Sequence, residues 1–290
     1  MENIEERKII VIGGAGFVGS HLCDFLQPNN TVISIDNYLS GCESNHVSGV
    51  TYRKGSSLNI SILAADFCPD IIFHLGEYSR VESSYDDYDL VIENNLVPFS
   101  AVLNYANEKN SKLIYSGSST KFANYQDDEK PSPYAWIKEK NTEHLINYSS
   151  WFGLDYAIVY FYNVYGGNEI DEGQFSTVIG KFKKLVENGA DSLPVVKPGN
   201  QLRNFTHYSD IVSGLVIVAL KGSGDGFGIG AERSVSMNDI VNFLGCTPHY
   251  IPIRPGNRMS AELITSATRK LGWTPKVDIE EYLNQVIDGT

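Results

Sequence analysis

The chain has 290 residues, of which 42% are hydrophobic and 20% charged, enough for one large α/β unit, or such a unit with a smaller companion. With 35 acidic against 23 basic side chains, the formal net charge is −12; this argues against a general nucleic-acid binder, which needs clustered Lys and Arg, but not against a phosphorylated small ligand, which needs only local positive groups. The four cysteines (Cys23, Cys42, Cys68, Cys246) form no C-x-x-C pair, and there is no signal peptide or long apolar span, so free thiols, no metal site, no membrane partner and a cytoplasmic location are expected.

Lys8-Ile-Ile-Val-Ile12 is a continuous apolar run, as in a parallel strand covered on both faces. A Gly-rich turn follows, then a helix from Phe17 to Gln27 stopped by Pro28, then a strand from Thr31 to Asp36. Ile71 to Leu75 and Leu113 to Ser116 are further strands, with helical periodicity from Leu90 to Glu108 between them and Pro98 marking a bend or a late start. Pro133 to Phe152 is a long helix ending near Gly153, and Leu154 to Phe161 is another strand-like run. Strands alternating with helices imply a parallel doubly wound sheet. After Tyr165 glycines and prolines break the chain into shorter pieces, and 222–230 read as a Gly-rich loop. The division expected is a Rossmann-like domain over residues 1–165 that carries the catalytic groups, and a smaller C-terminal substrate-binding lobe over 166–290, some of whose segments return to the sheet.

Gly13, Gly16 and Gly19 directly follow a strand and open a helix. The first allows a sharp turn, the second lets backbone N–H groups approach a pyrophosphate, and the third lets helix and strand pack closely. The helix N-terminus then faces the anion. Asp36 ends the second strand near the spacing expected for a carboxylate on the adenosine ribose, and no Arg follows it directly, so NAD is favoured over NADP. Tyr134 and Lys138 stand at i and i+4 on one helix face. A free phenol has a pKa of about 10, too high for a base at neutral pH; a neighbouring ammonium and the positive nicotinamide ring both favour the phenolate. Ser118, at the carboxyl end of its strand, is placed to hold the same substrate oxygen. Together these are the parts needed to take a hydride from a carbinol.

Here the chain resembles the extended short-chain dehydrogenase/reductases, and within them the NAD-dependent nucleotide-sugar epimerase and dehydratase branch. The resemblance runs nearly end to end. Gly13-Gly-Ala-Gly-Phe-Val-Gly-Ser-His21 looks like the cofactor signature, with Phe17 and Val18 inside it; Asp36-Asn37 looks like its ribose reader, and His74-Leu75-Gly76 like the strand end beneath the nicotinamide. Asn94-Asn95 matches a paired Asn that steadies the active-site strands, and the resemblance puts Asn95 among the cofactor ligands. Ser116-Gly-Ser118 places Ser118 on the catalytic hydroxyl. Phe161-Tyr-Asn-Val-Tyr-Gly166 makes Asn163 a sugar-diphosphate contact; Gly199 to His207, followed by Asp210, looks like the substrate-lobe motif and puts Arg203 near a phosphate. Arg254-Pro-Gly256 and Leu271-Gly-Trp-Thr-Pro275 match the terminal signatures and make Arg254 a second pyrophosphate ligand. Two guanidiniums can clamp a diphosphate, and they supply local positive potential in an acidic chain.

Three departures from the family pattern matter. Dehydratases of this branch carry Asp-Glu directly after the active-site Thr; here Ser119-Thr120 follow Ser118, which disfavours a 4,6-dehydratase. Glu77 stands where a small residue is usual, either as a contact to cofactor or substrate or as a structural partner of Arg80. In the loop after the third strand, Lys54-Gly-Ser-Ser-Leu58 replaces an Asp that meets the adenine amine, leaving Ser56 or Ser57 to substitute beside Leu58. The resemblance implies oxidation at C4 of a nucleoside-diphosphate sugar, as a 4-epimerase or, with release of the keto sugar, a 4-dehydrogenase of the kind that acts on a GDP-heptose. A catalytically silent NAD or nucleotide-sugar binding protein is opposed by the joint presence of Ser118, Tyr134 and Lys138. By analogy relatives form homodimers through the helices around Leu90–Asn107 and Pro133–Ser150, for which Val91, Val102, Ile137, Leu145 and Ile146 offer apolar area unless they face the sheet.

Overall fold

The alternation of side chains along the first strand decides the layers. A computed structural model describes residues 2–122, 131–253 and 259–288, the side chains of 287 and 288 excepted. In chain order the first half runs β1 (Lys8–Ile12), α1 (Phe17–Leu26), β2 (Thr31–Asp36), β3 (Thr51–Lys54), α2 (Ile60–Leu63), β4 (Ile71–His74), α3 (Tyr88–Val91), α4 (Phe99–Glu108), β5 (Lys112–Ser118), α5 (Pro133–Phe152) and β6 (Tyr156–Phe161). The second half adds β7 (Val164–Tyr165), α6 (Val178–Glu187), β8 (Ser192–Val196), β9 (Leu202–Asn204), β10 (Thr206–His207), α7 (Tyr208–Lys221), β11 (Gly224–Ile229), β12 (Ser234–Ser236), α8 (Met237–Phe243), β13 (Thr247–Ile251), α9 (Ser266–Lys270) and α10 (Ile279–Asp288).

Ile9 and Val11 point to one face of the sheet, with Phe73, Ile114 and Val159, and pack against Leu22 of α1 and Leu215 of α7. Ile10 and Ile12 point to the other, with Ile33, Ile72 and Ile158, and meet Phe99, Leu103 and Leu145 of α4 and α5. Helices therefore cover both faces, as the continuous apolar runs require. The seven sheet strands are ordered β11-β6-β5-β4-β1-β2-β3, and every pairing is parallel. This is the α/β, Rossmann-like doubly wound sheet expected. Its order reverses between β1 and β4, and ligands of open α/β sheets bind at the carboxyl edge of such a switch point. Ile12 is level with both Ile35 and His74, and His74 with Tyr115, so the four strand ends reach that edge together. A separate core of Ile179, Phe182, Leu193, Val195, Ile240 and Leu283 belongs to the C-terminal pieces.

Two segments depart from the sequence reading. The periodic stretch from Leu90 to Glu108 is not one helix: α3 passes into a π turn over Ile92–Leu96, where the Val97 N–H donates to Ile92 O at 3.0 Å, and α4 starts afresh after Pro98. Pro98 has no N–H and its ring collides with the preceding turn, so the regular ladder cannot run through it. The Gly-rich stretch 222–230 is no loop; it supplies edge strand β11, paired with β6. Close approach requires Gly228, where a Cβ would stand 2.1 Å from Ile264 O, whereas Gly224 and Gly226 have open space and left-handed φ of +86° and +100°. Of the five residues considered for a two-fold contact, Val91, Val102, Ile137 and Leu145 are fully buried in this chain's own cores, whereas Ile146 is exposed, as are Trp136, Trp151 and Phe152 of α5. Among the described residues no helix is long and apolar enough to cross a membrane.

Candidate active site

The Gly-rich turn is built by exclusion of side chains. Gly13 has φ +87°, and a Cβ there would lie 2.5 Å from Gly76 Cα; a Cβ on Gly19 would lie 2.0 Å from Gly13 O. Only glycine lets β1, β4 and the first turn of α1 come this close. No side chain caps α1 at Gly16, so the first-turn N–H groups are available to an anion. Asp36 ties the turn to the end of β2: its carboxylate accepts from Ala15 N at 2.9 Å and from Tyr38 N at 2.8 Å. Beside it the Asn37 amide donates to Asn94 Oδ1 at 2.7 Å. This cradle fits a dinucleotide: room for a pyrophosphate over bare backbone, and a carboxylate at the end of the next strand.

Next along the edge come β4 and β5. The Ser116 hydroxyl donates to His74 O at 2.9 Å and holds the two strand ends together. Ser118 Oγ accepts from Thr120 N at 3.3 Å and from Thr120 Oγ1 at 2.9 Å. With its acceptor sites taken by protein donors, its own proton is free to go to a ligand oxygen. Helix α5 is started by Ser132, whose hydroxyl accepts from Ala135 N at 3.2 Å, and by Pro133 at its first position; it is ended by Gly153 at φ +77°. The helix presents Tyr134 and Lys138 to the same cleft, 8% and 5% exposed. Tyr134 is held by Tyr78, Val91 and Ile137.

Gly13, Gly16, Phe17, Val18, Gly19, Asp36, Asn37, Leu75, Gly76, Glu77, Ser118, Tyr134, Lys138 and Asn163 all line this one cleft. Ser56 lines a smaller pocket next to it, with Gly13, Asp36, Asn37 and Gly76. Leu58 lines neither; its N–H donates to Ser56 Oγ at 3.2 Å, closing the turn. Asn95 is fully buried away from the cleft, with its amide on both backbone groups of Tyr78 (2.7 and 3.0 Å); its neighbour Asn94 lines the cleft instead. Arg203 is not brought to the cleft: it lies on β9 and donates to Leu202 O and Met259 O. Arg254 lies outside the described residues.

Glu77 pairs with Lys138 and not with Arg80. Its carboxylate also accepts from Asn141 Nδ2 at 3.1 Å and from Tyr115 OH at 3.2 Å. Burial pushes the neighbouring His74 down to about 4, so that imidazole is neutral at ordinary pH. Arg80, Asn94 and Thr177 also line the cleft, and Asn141 supports it; the sequence reading assigned none of them a ligand contact. Asn141 was within reach of sequence reasoning, since it follows Tyr134 by seven residues and Lys138 by three on one helix face. Thr177 carries no such signal.

Comparison with known proteins agrees with this geometry. Residues 9–230 match the NAD dependent epimerase/dehydratase family. A putative UDP-glucose 4-epimerase of Methanocaldococcus jannaschii is 26% identical, over 97% of this chain and 97% of its own length. UDP-glucuronic acid decarboxylase 5 of Arabidopsis thaliana is also 26% identical, over 95% of this chain and 87% of its own. The crystal structure of the UDP-glucose 4-epimerase of Thermotoga maritima with UDP-glucose superposes with a TM-score of 0.89 at 25% identity, covering 97% of each chain. Sequence, sheet order and cleft converge: the chain belongs to the NAD dependent epimerase/dehydratase family, and its cofactor is NAD.

Proposed function

We propose that this protein is a nucleotide-sugar 4-epimerase. It oxidises C4 of a nucleoside-diphosphate sugar and reduces the resulting ketone from the opposite face. One observation carries the reading: Ser118, Tyr134 and Lys138 meet the Gly13–Gly19 cradle in a single cleft at the sheet's switch point. NAD held over the Gly13–Gly19 turn would supply the hydride acceptor and, in its reduced form, the returning hydride. Tyr134 takes the C4 hydroxyl proton, and gives it back when the ketone is reduced. Ser118 donates its hydrogen bond to the oxygen that gains charge. Lys138 supports Tyr134, the cradle N–H groups and Asp36 hold the cofactor, and Asn163 lies on the sugar-diphosphate side. Arg203 and Arg254 remain the proposed diphosphate ligands, which requires Arg203 to turn toward the cleft when substrate binds.

The cleft's carboxylates separate this reaction from dehydration. Among the described residues they are Asp36, bonded to two backbone N–H groups, and Glu77, paired with Lys138. Neither is free to move protons at C5 and C6, and Ser119 and Thr120 offer none. Epimerisation needs only the one base and the returning hydride. Two copies joined through α4 and α5, with Ile146 and Trp136 at the contact, complete the reading; sedimentation equilibrium tests it.

The test is a panel of nucleoside-diphosphate sugars incubated with the pure enzyme. A C4 epimer without net NADH supports the epimerase. A 4-keto product formed in proportion to added NAD replaces it with a 4-dehydrogenase. A deoxy-keto product excludes both.

A further inference from the structure

Glu77 is buried where the reaction centre is built, and the chemistry of that centre gives it a task. Its side chain is 2% exposed, and that of Lys138 is 5% exposed. A buried ion pair is poor grounds for stability, because desolvation of two charges offsets most of their attraction and apolar replacements often do as well. A carboxylate at this position therefore calls for another account. The hydrogens of the ammonium supply it. Lys138 has three; Ser116 O accepts one at 2.6 Å and Glu77 accepts another. One is left for the cleft, which Lys138 lines. The carboxylate is itself fixed by Asn141 from α5 and Tyr115 from β5, at 3.1 and 3.2 Å.

The titratable groups around the pair are His74 from β4, Tyr115 from β5, Tyr134 from α5, and Arg80 from the segment after β4. His74 lies 4.0 Å from the carboxylate and is neutral, pushed down to about 4 chiefly by burial. Tyr115 stays protonated, pushed well above its ordinary range by burial and then by Glu77. Arg80 lines the cleft near Tyr134, its guanidinium bonded to Phe175 O. The fixed charges are thus Glu77, Lys138 and Arg80, and the first two sum to zero.

We propose that Glu77 is a positioning residue for the Tyr134 chemistry: it aims the Lys138 ammonium by taking one of its hydrogens, and it cancels the ammonium's charge at Tyr134. With the pair neutral, Lys138 adds no net charge at the phenol, and a positively charged nicotinamide ring beside it supplies the added pull toward the phenolate. This rests on the reading of Tyr134 as the base.

The experiment is an ultraviolet difference titration of the Tyr134 phenol, isolated in each background by subtracting the matching Tyr134→Phe variant. No sugar is needed. In the parent, adding NAD, but not NADH, makes the phenol more acidic. Glu77→Gln leaves Lys138 uncancelled and lowers the free-enzyme value by about one unit. Glu77→Asp, which keeps the charge, behaves as the parent. The Glu77→Gln/Lys138→Met double variant removes both charges, so it carries the comparison even if the single variant does not fold, and it titrates with the parent. Equal titration of parent and Glu77→Gln overturns the proposal, as does a double variant raised by about one unit. The two failures are distinct: a wrong reaction shows as no turnover of any nucleotide sugar with the titrations as expected, and a wrong role for Glu77 shows as turnover with the titration unmoved.

Discussion

The cofactor cradle and the C-terminal lobe, which we propose holds the substrate's diphosphate, are built from different materials. The cradle uses backbone: Gly13 and Gly19 are required by contacts of 2.5 and 2.0 Å, and the first turn of α1 is left uncapped. In that proposal the lobe contributes side chains, Arg203 of β9 among them. Two family-like motifs of the C-terminal half are internal staples against the sheet and not part of the lobe's core. Asp210 accepts from Lys276 N and Val277 N at 3.0 Å each, and Trp273 Nε1 donates to Asp210 O at 3.0 Å, so the Leu271–Pro275 signature locks α7 to the chain end. A backbone-built site is rigid and constant in its ligand; a side-chain-built site is where substrate choice is made.

The sharpest way to break this comparison is at the chemistry. Tyr134→Phe removes the proposed base with little change in shape, and we expect kcat to fall by about 10²–10⁴ with NAD affinity, read by calorimetry, unchanged. Retained turnover assigns the base elsewhere. Acid stability comes next. His74 is buried in the cofactor half with its pKa lowered to about 4 from 6.5. The unfolded chain therefore binds the extra proton first. Stability is intact above about pH 6.5 and is lost as pH falls toward 4, by up to about 3 kcal/mol, and His74→Gln flattens that slope in urea melts across the window. Gly19→Ala forces a Cβ onto Gly13 O and lowers NAD affinity by roughly 100-fold, as overpacking costs about 1–3 kcal/mol, with the lobe's own core unchanged by thermal melting. The smallest effect belongs to the lobe. Arg203→Ala raises KM for the nucleotide sugar about tenfold, the scale of one charge-assisted hydrogen bond, and leaves NAD binding alone; an equal loss of NAD affinity erases the distinction between the two regions.

Legibility in sequence follows the same division. The strands β1 and β2 and the helix α5 were readable because local chemistry decides them: uninterrupted apolar runs, Ser132-Pro133 at one helix end and Gly153 at the other. Tyr134 and Lys138 were readable because helical spacing puts them on one face. The π turn over Ile92–Leu96 was not, since its apolar periodicity mimics an unbroken helix and only Pro98 hints otherwise. Strand β11 was hidden by its glycines: Gly228 is required by Ile264, far on in the sequence, and Gly224 and Gly226 by left-handed backbone that no local pattern announces. The partner of Glu77 was missed for a similar cause. Arg80 is three residues on, whereas Lys138 reaches it only across the folded edge of the sheet.

The most direct test follows the hydrogen on C4. Nucleoside-diphosphate sugars carrying deuterium at C4 are turned over in ordinary water, and both epimers are read by mass and NMR. The account requires the label to remain at C4 in substrate and product alike, with nothing exchanged at C5. Loss of that deuterium to solvent during epimerisation, or exchange at C5, contradicts it.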